Sequence, residues 1–316
     1  MSSTPRLGAG AVLQSKQMSE RHGTAIPTLA LAGAGCLWGT GFFFGKIALS
    51  EMSVPEMILF RLGFACVGLL PILLWDRPRF SAKEWGWVFV AALVGIPVLY
   101  LVQFKGLSLT TVSHASLMVG TLPILLAIAA GLFSGERLHA GGWLALAASS
   151  AGAAMIALSS PRTGGTARAS MIGDLLVVLS MLAAIAWILI SKRLMHRHSP
   201  LMVTASIHWV GTLMLAVMVM AGSGAPSLHH SMRAWVALAE QGLFATVSAT
   251  LLWNWGLKWV PASQAGIFTN LEPLVGAVLG VRLLHEDLGI MAVAGGVLIV
   301  GGAVYMSYRP AKSAGE

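Results

Sequence analysis

Residues 106–138 read GLSLTTVSHASLMVGTLPILLAIAAGLFSGERL, and residues 256–288 read GLKWVPASQAGIFTNLEPLVGAVLGVRLLHEDL. Sliding the chain by 150 residues lays the first stretch on the second without a gap. Gly106-Leu107 falls on Gly256-Leu257, Ser113 on Ser263, Ala115 on Ala265, Pro123 on Pro273, Ala127 on Ala277, Glu136 on Glu286 and Leu138 on Leu288. Gly152-Ala153 falls on Gly302-Ala303 at the same offset. Apolar, Ala-rich segments match by chance, but a proline and a glutamate at one fixed offset do not follow from composition. The chain is an internal duplication. The earlier spans match more weakly: Pro55 and Met57 align with Pro200 and Met202 at an offset of 145.

Both copies are apolar, and so is the rest of the chain. Of 316 residues, 56% are hydrophobic and 10% are charged, and the mean hydropathy is +0.79. A soluble domain carries about a quarter charged residues. These values exclude a soluble enzyme, a nucleic-acid-binding domain and a disordered protein, and leave a polytopic membrane protein. A helical span needs about 20 apolar residues. Ten such spans are expected, near 28–49, 56–75, 85–104, 111–134, 140–159, 172–191, 200–221, 234–256, 263–284 and 289–308. Residues 1–27 read as an N-terminal tail, 28–160 as the first five-helix repeat, 161–308 as the second and 309–316 as a C-terminal tail. No cleavage site follows the first apolar run, so it reads as a retained span. Cys36 and Cys66 both lie in apolar runs and read as packing residues; no metal spacing or cofactor motif is present.

Lys and Arg set the orientation. With the N-terminus in the cytoplasm, inner segments hold 13 of them and outer segments 5, leaving Lys46 and Arg61 inside spans. Both termini are therefore expected to be cytoplasmic, in the cell (inner) membrane. Five spans per copy make the second copy start on the opposite side. An inverted repeat of this kind is common in secondary transporters with midplane sites.

Several short runs, in order and duplicated, resemble a known family. They are Leu37-Trp38-Gly39, Lys46, Pro55, Phe60-Arg61-Leu62, the run Gly106 to Pro123, Gly135-Glu136-Arg137-Leu138, then Gly256-Leu257 through Ala265, Leu271-Glu272-Pro273, Glu286 and Gly301-Gly302. Over residues 28–308 the chain resembles the drug/metabolite transporter superfamily, in its EamA group, and looks most like amino-acid and metabolite exporters, including the YddG-like branch. The resemblance implies ten helices in two inverted five-helix halves around a central cavity. The first four helices of each half line or support that cavity. One departure is visible: Trp187 in the sixth span is not followed by a basic residue eight positions on, as Lys46 follows Trp38.

Charges within the bilayer are expensive and mark candidate functional residues. Lys46 reads either as a counter-charge for a substrate carboxylate or as a lysine snorkelling to the headgroups. Trp38 and Phe42 share its helical face. Arg61 either binds an anion through its fork or pairs with Glu51, Glu56 or a carbonyl. Glu272, just before Pro273, either carries a proton or a substrate ammonium, or is bonded across helices. Glu240 is expected to reach only the outer interface. His114 shares a face with Thr111, Met118 and Thr121, and its repeat mate Gln264 shares one with Phe268; a histidine titrates near neutral pH. Tyr100, Gln103, Trp253, Asn254, Trp255 and Asn270 are further candidate lining groups. His208 has a weaker case, and His229-His230 reads as a loop pair. Pro123 and Pro273 interrupt their helices at matching depth, as kinks or hinges. The pairs Gly35/Gly39, Gly41/Gly45 and Gly276/Gly280 have GxxxG spacing for close helix contacts, and Gly295-Gly296 and Gly301-Gly302 are expected to pack likewise.

The expected function is a secondary transporter that exports small amphipathic metabolites, amino acids with aromatic or large apolar side chains first. Its partners are a small-molecule substrate and the lipid bilayer, with protons as candidate coupling ion; no nucleic acid, metal or cofactor is expected. The rival is a multidrug or other metabolite exporter, which would favour acidic and aromatic walls. An intramembrane enzyme lacks support, since no HExxH, GxSxG or paired-aspartate motif occurs. A structural or sensory subunit does not explain the duplication and the buried polar groups.

Overall fold

The structure is a computed structural model describing residues 9–75, 79–109, 118–159, 171–284 and 289–308. Every regular element among them is helical. In chain order these are α1 (Ala9–Leu49), α2 (Val54–Trp75), α3 (Ala82–Leu93, the π turn Val94–Val98 and Leu99–Leu109), α4 (Leu122–Ser134), α5 (Ala140–Ser159), α6 (Met171–Met195), α7 (Pro200–Ser223), α8 (Met232–Gly242, the π turn Leu243–Ser248 and Ala249–Trp259), α9 (Ala262–Ala265, the 3-10 turn Gly266–Asn270 and Leu271–Leu284) and α10 (Ile290–Tyr308). Seven helices among the described residues are long and apolar enough to cross a membrane; Leu122–Ser134 and Ala140–Ile156 are shorter apolar helices. The chain is a multi-pass membrane protein. Its outward faces carry Leu74, Trp75, Leu132, Phe133, Leu144, Leu213 and Val297, a surface suited to lipid and not to water.

The part of α1 long and apolar enough to cross a membrane, Ala25–Leu49, agrees with the expected first span, but the helix itself is longer. It begins at Ala9 and runs through Pro27, so much of the expected tail is helical. Residues 9–22 are rich in Ala, Gln, Lys, Glu and Arg, which favour helix, and contain no proline.

Helix starts are written in local chemistry. Ser81 and Glu84 form a reciprocal capping box at α3. Ser199 caps α7 with Pro200 in its first turn, and Ser231 caps α8. Gly135 ends α4 at φ 68°, a left-handed conformation that suits glycine.

The duplication is visible in the packing. α3 and α8 each carry a π turn at equivalent places. α2 packs on α8 as α3 packs on α7, and α1 lies along the second part of α8 as α6 lies along the second part of α3. α4 meets α9, and α5 meets α10. The ends also correspond. At one end the α1–α2 loop reaches the start of α8, where Glu51 accepts from the Ser231 amide at 2.8 Å. At the other the α6–α7 loop reaches the start of α3, where His198 lies 3.2 Å from Glu84. α1 thus runs toward one end and α6 toward the other, which is the inverted relation.

Glycines make the closest approaches. A Cβ on Gly35 would strike the Phe268 carbonyl, and one on Gly39 would lie 2.6 Å from Val275 Cβ and 2.7 Å from the Glu272 carbonyl. On the other side of α1, Gly41 and Gly45 face Ala245 and Gln241 of α8. α1 is therefore clasped between α8 and α9. Gly152 and Gly295 face each other's backbone between α5 and α10. Among the described residues, nothing lies within 4 Å of where a Cβ on Gly276 or Gly301 would go, so the close packing expected of them is not seen there.

Candidate functional site

The two π turns place the central polar groups. A π turn inserts an extra residue into the helical ladder and leaves carbonyls to be bonded otherwise. In α3 Pro97, which has no amide hydrogen, lies within the turn. In α8 two hydroxyls take over: Thr246 donates to the Gln241 carbonyl at 2.8 Å and Ser248 to the Leu243 carbonyl at 3.0 Å. Thr246 Oγ1 in turn accepts from Arg61 Nε of α2 at 2.8 Å. The Arg61 guanidinium sits over the Tyr100 ring, 5.3 Å from its centre, directly beyond the α3 π turn. Arg61 of α2 is thus held between the α8 π turn and the segment of α3 that follows its π turn.

Two acids and a histidine feel this cation: Glu240, Glu272 and His208 each interact electrostatically with Arg61. Arg61, Tyr100, Glu240, Glu272, Trp38, Gln103 and Met118 are all half-buried. Glu240 does not simply reach the interface, as expected. Its Oε1 lies 2.8 Å from Thr40 Oγ1 of α1, and its Oε2 is buried with no hydrogen-bond partner among the described residues. Gln241 Nε2 donates to the Gly41 carbonyl at 2.6 Å. Trp38 meets Trp253 with ring centres 5.1 Å apart. Among the described residues, the arrangement sets the Arg61 cation over one aromatic ring, with two carboxyl groups within reach of its charge.

Glu51 and Glu56, considered as Arg61 partners, are engaged elsewhere. Glu51 accepts from Ser231 and Glu56 from Ser53 and the Ser227 amide. Four other sequence candidates pack inside the protein: Asn254, Gln264, Phe268 and Asn270 are all buried. Asn254 Nδ2 donates to Thr204 Oγ1 at 2.7 Å, and His208 Nδ1 lies 2.9 Å from the Thr204 carbonyl, a network between α7 and α8. Asn270 donates to Ser149 of α5 at 3.0 Å. Pro123 and Pro273 each stand in the first turn of a helical segment that follows a break: the turn at Gly120-Thr121 for α4, the 3-10 turn for α9. His230 meets the edges of Phe60 and Trp235. His114 and the side chains of Phe42 and Lys46 lie outside the described residues, as does Glu286. No group of His, Cys, Asp or Glu that could hold a metal occurs among the described residues.

Thr40, Gln241 and Thr246 carry contacts that sequence reading did not anticipate. The usable sign was the Thr246/Ser248 hydroxyl pair in an apolar helix beside an acid.

The fold matches a solved crystal structure with a TM-score of 0.73 at 22% identity, covering 88% of this chain and 95% of that one. An uncharacterized transporter of Archaeoglobus fulgidus is 25% identical over 284 residues, covering 88% of this chain and 96% of its own length. The biotin transporter of Escherichia coli K12 is 25% identical over 261 residues, covering 79% of this chain and 83% of its own. Residues 26–158 and 171–308 each match the EamA-like transporter family, and the chain belongs to that family.

Proposed function

We propose that the chain is a secondary transporter that exports small amphipathic metabolites, amino acids with aromatic or large apolar side chains first. It works by alternating access around a central cavity between two inverted five-helix repeats, in the cell (inner) membrane with both termini cytoplasmic. One observation carries this reading: the Arg61 guanidinium is held over Tyr100, in electrostatic reach of Glu240 and Glu272. A zwitterion fits that arrangement. Its carboxylate takes the guanidinium fork, its ammonium takes an acid, and its apolar side chain lies against Trp38 and Tyr100. A relative named as a biotin transporter is consistent with a carboxylate-bearing substrate. Glu272 is the residue assigned to proton coupling, since an acid in the membrane can carry a proton between the two states.

The second reading is a multidrug or other metabolite exporter. The two half-buried acids favour it, because cationic drugs need such walls. Counterflow of labelled amino acids in sealed liposomes, with and without a pH gradient, separates the two. Uptake of phenylalanine, tryptophan or leucine that falls in Arg61→Gln and in Lys46→Ala supports the amino-acid reading. Gradient dependence that disappears in Glu272→Gln supports proton coupling. Transport of lipophilic cations with no amino-acid movement overturns the first reading in favour of the second.

A further inference from the structure

At the end of the bundle that carries the loop after α4, three parts of the chain meet around one carboxylate. Gly135 turns the chain out of α4, and Glu136 reaches the first turn of α9. Its Oε1 accepts from the Ala262 amide at 3.2 Å and its Oε2 from the Ser263 amide at 2.9 Å. Lys192, in the last turn of α6, brings its Nζ to 2.9 Å from Glu136 Oε1. The same ammonium donates to the Val260 carbonyl at 3.1 Å. Both side chains are mostly buried, with 15% and 14% of their surface exposed. A carboxylate on a helix N-terminus is favoured by the unpaired amides and the helix dipole. Burial pushes the Glu136 carboxyl up, but Lys192 and the Ser263 amide outweigh it and hold it below the usual carboxylate range. Glu136 lies in the first family-matched stretch, and all its partners lie in the second.

The seam beneath this cluster runs between α4 and α9, where Gly266 packs on Pro123 and Leu126. Both helices are interrupted there, α4 by the turn ahead of Pro123 and α9 by its 3-10 turn. Helix breaks at one level on both sides of a seam let its end swing without unwinding a continuous ladder. Among the described residues, the bonds from Glu136 to Ala262 and Ser263 and from Lys192 to Glu136 and Val260 all pass through these two side chains, so a small displacement releases them together.

We propose that Glu136 and Lys192 form an ionic latch that holds this end of the cavity closed, and that each transport cycle breaks it to open that end. The latch rests on the alternating-access reading, but it is tested by conformation and not by flux. The reporter is Ala130→Cys in a chain with Cys36→Ser and Cys66→Ala. Ala130 is fully buried and shares, by helical spacing, the α4 face that Pro123 and Leu126 present to α9. A membrane-impermeant maleimide is applied from the side of the Gly135–His139 loop. The reporter chain labels slowly. Glu136→Gln and Lys192→Met each raise the rate about tenfold or more, the shift expected when one of two states loses a charge-assisted contact. Lys192→Arg stays within about twofold of the reporter chain, since the charge and donors remain. Unchanged labelling in both Glu136→Gln and Lys192→Met overturns the latch and leaves a static cap on α9. Should either fail to fold, Glu136→Asp decides. It keeps the charge and shortens the reach by one methylene, so an intermediate rate upholds the latch and an unchanged rate overturns it. A protein that moves no amino acid still passes or fails this test.

Discussion

Replacing Arg61 by glutamine removes a cation held against Thr246 of the α8 π turn and over the Tyr100 ring of α3. A hydrogen bond between charged partners contributes about 1.5–3 kcal/mol, and each 1.4 kcal/mol is about tenfold in affinity. Loss of the guanidinium therefore weakens binding of a carboxylate substrate by about 10- to 150-fold. Arg61→Lys keeps the charge but loses the fork and the flat contact with Tyr100, so it falls between the two. Binding of phenylalanine to purified protein, by calorimetry or a filter assay, reads the change. The paired measurement uses phenylalaninol, which has the same ring and ammonium but no carboxylate. Arg61→Gln must leave phenylalaninol binding within about twofold, because the lost contact was to an absent group. Equal losses for both ligands mean that Arg61 supports the fold and does not bind the carboxylate. No loss for either refutes the carboxylate assignment outright.

Glu240→Gln and Glu272→Gln should each weaken the ammonium side, and the informative contrast is phenylpropionate, an analogue that keeps the carboxylate but has no ammonium, whose binding should not fall; only Glu272→Gln should also abolish dependence on a pH gradient. Gly35→Ala drives a methyl group into the Phe268 carbonyl and should cost about 1–3 kcal/mol, whereas Gly276→Ala meets open space and should stay within about 0.5 kcal/mol; thermal unfolding in one detergent compares them. Glu136 has a depressed carboxyl pKa, so its contribution to stability is complete above the usual carboxylate value and is lost as pH falls through its own lower value. The stability gap between the natural chain and Glu136→Gln should be constant from about pH 5 to 8 and close only below about pH 4; a gap that closes nearer neutrality contradicts the Lys192 contact.

The duplication, the helical class and the family were legible because they rest on long-range periodicity and on residues that recur at one offset. Pro123 and Pro273 marked helix breaks at matching depth, and the structure puts a turn before each. The site was legible in part. Arg61 and Glu272 stood out because an isolated charge in an apolar run has few explanations. Asn254, Asn270 and Phe268 looked equally plausible in the sequence and turn out to be buried against Thr204, Ser149 and the core. Helical spacing gives the faces of one helix but not which neighbour each face meets. Glu240 was placed at the interface by its position early in its span, and the bond to Thr40 of α1 could not be seen without knowing that α1 lies against α8. The π turns were hidden for another reason: they shift side-chain direction by an extra residue, which breaks the regular periodicity that sequence reading relies on.

The clasping of α1 between α8 and α9 sets an order of events during synthesis. The glycine faces of α1 meet described partners among residues 241–275, and Thr40 meets Glu240. At about 5–20 residues per second, the ribosome needs roughly 10–45 seconds to make them after α1 has emerged. α6 has no such wait, because α3 is already in the membrane when it arrives. The first helix made thus waits for partners made late in synthesis. Until then it is a lone helix in lipid, with two small-residue faces open to any neighbour. A truncated chain that ends before α8 should leave that helix free to pair wrongly, and slow translation beyond α6 should expose it for longer.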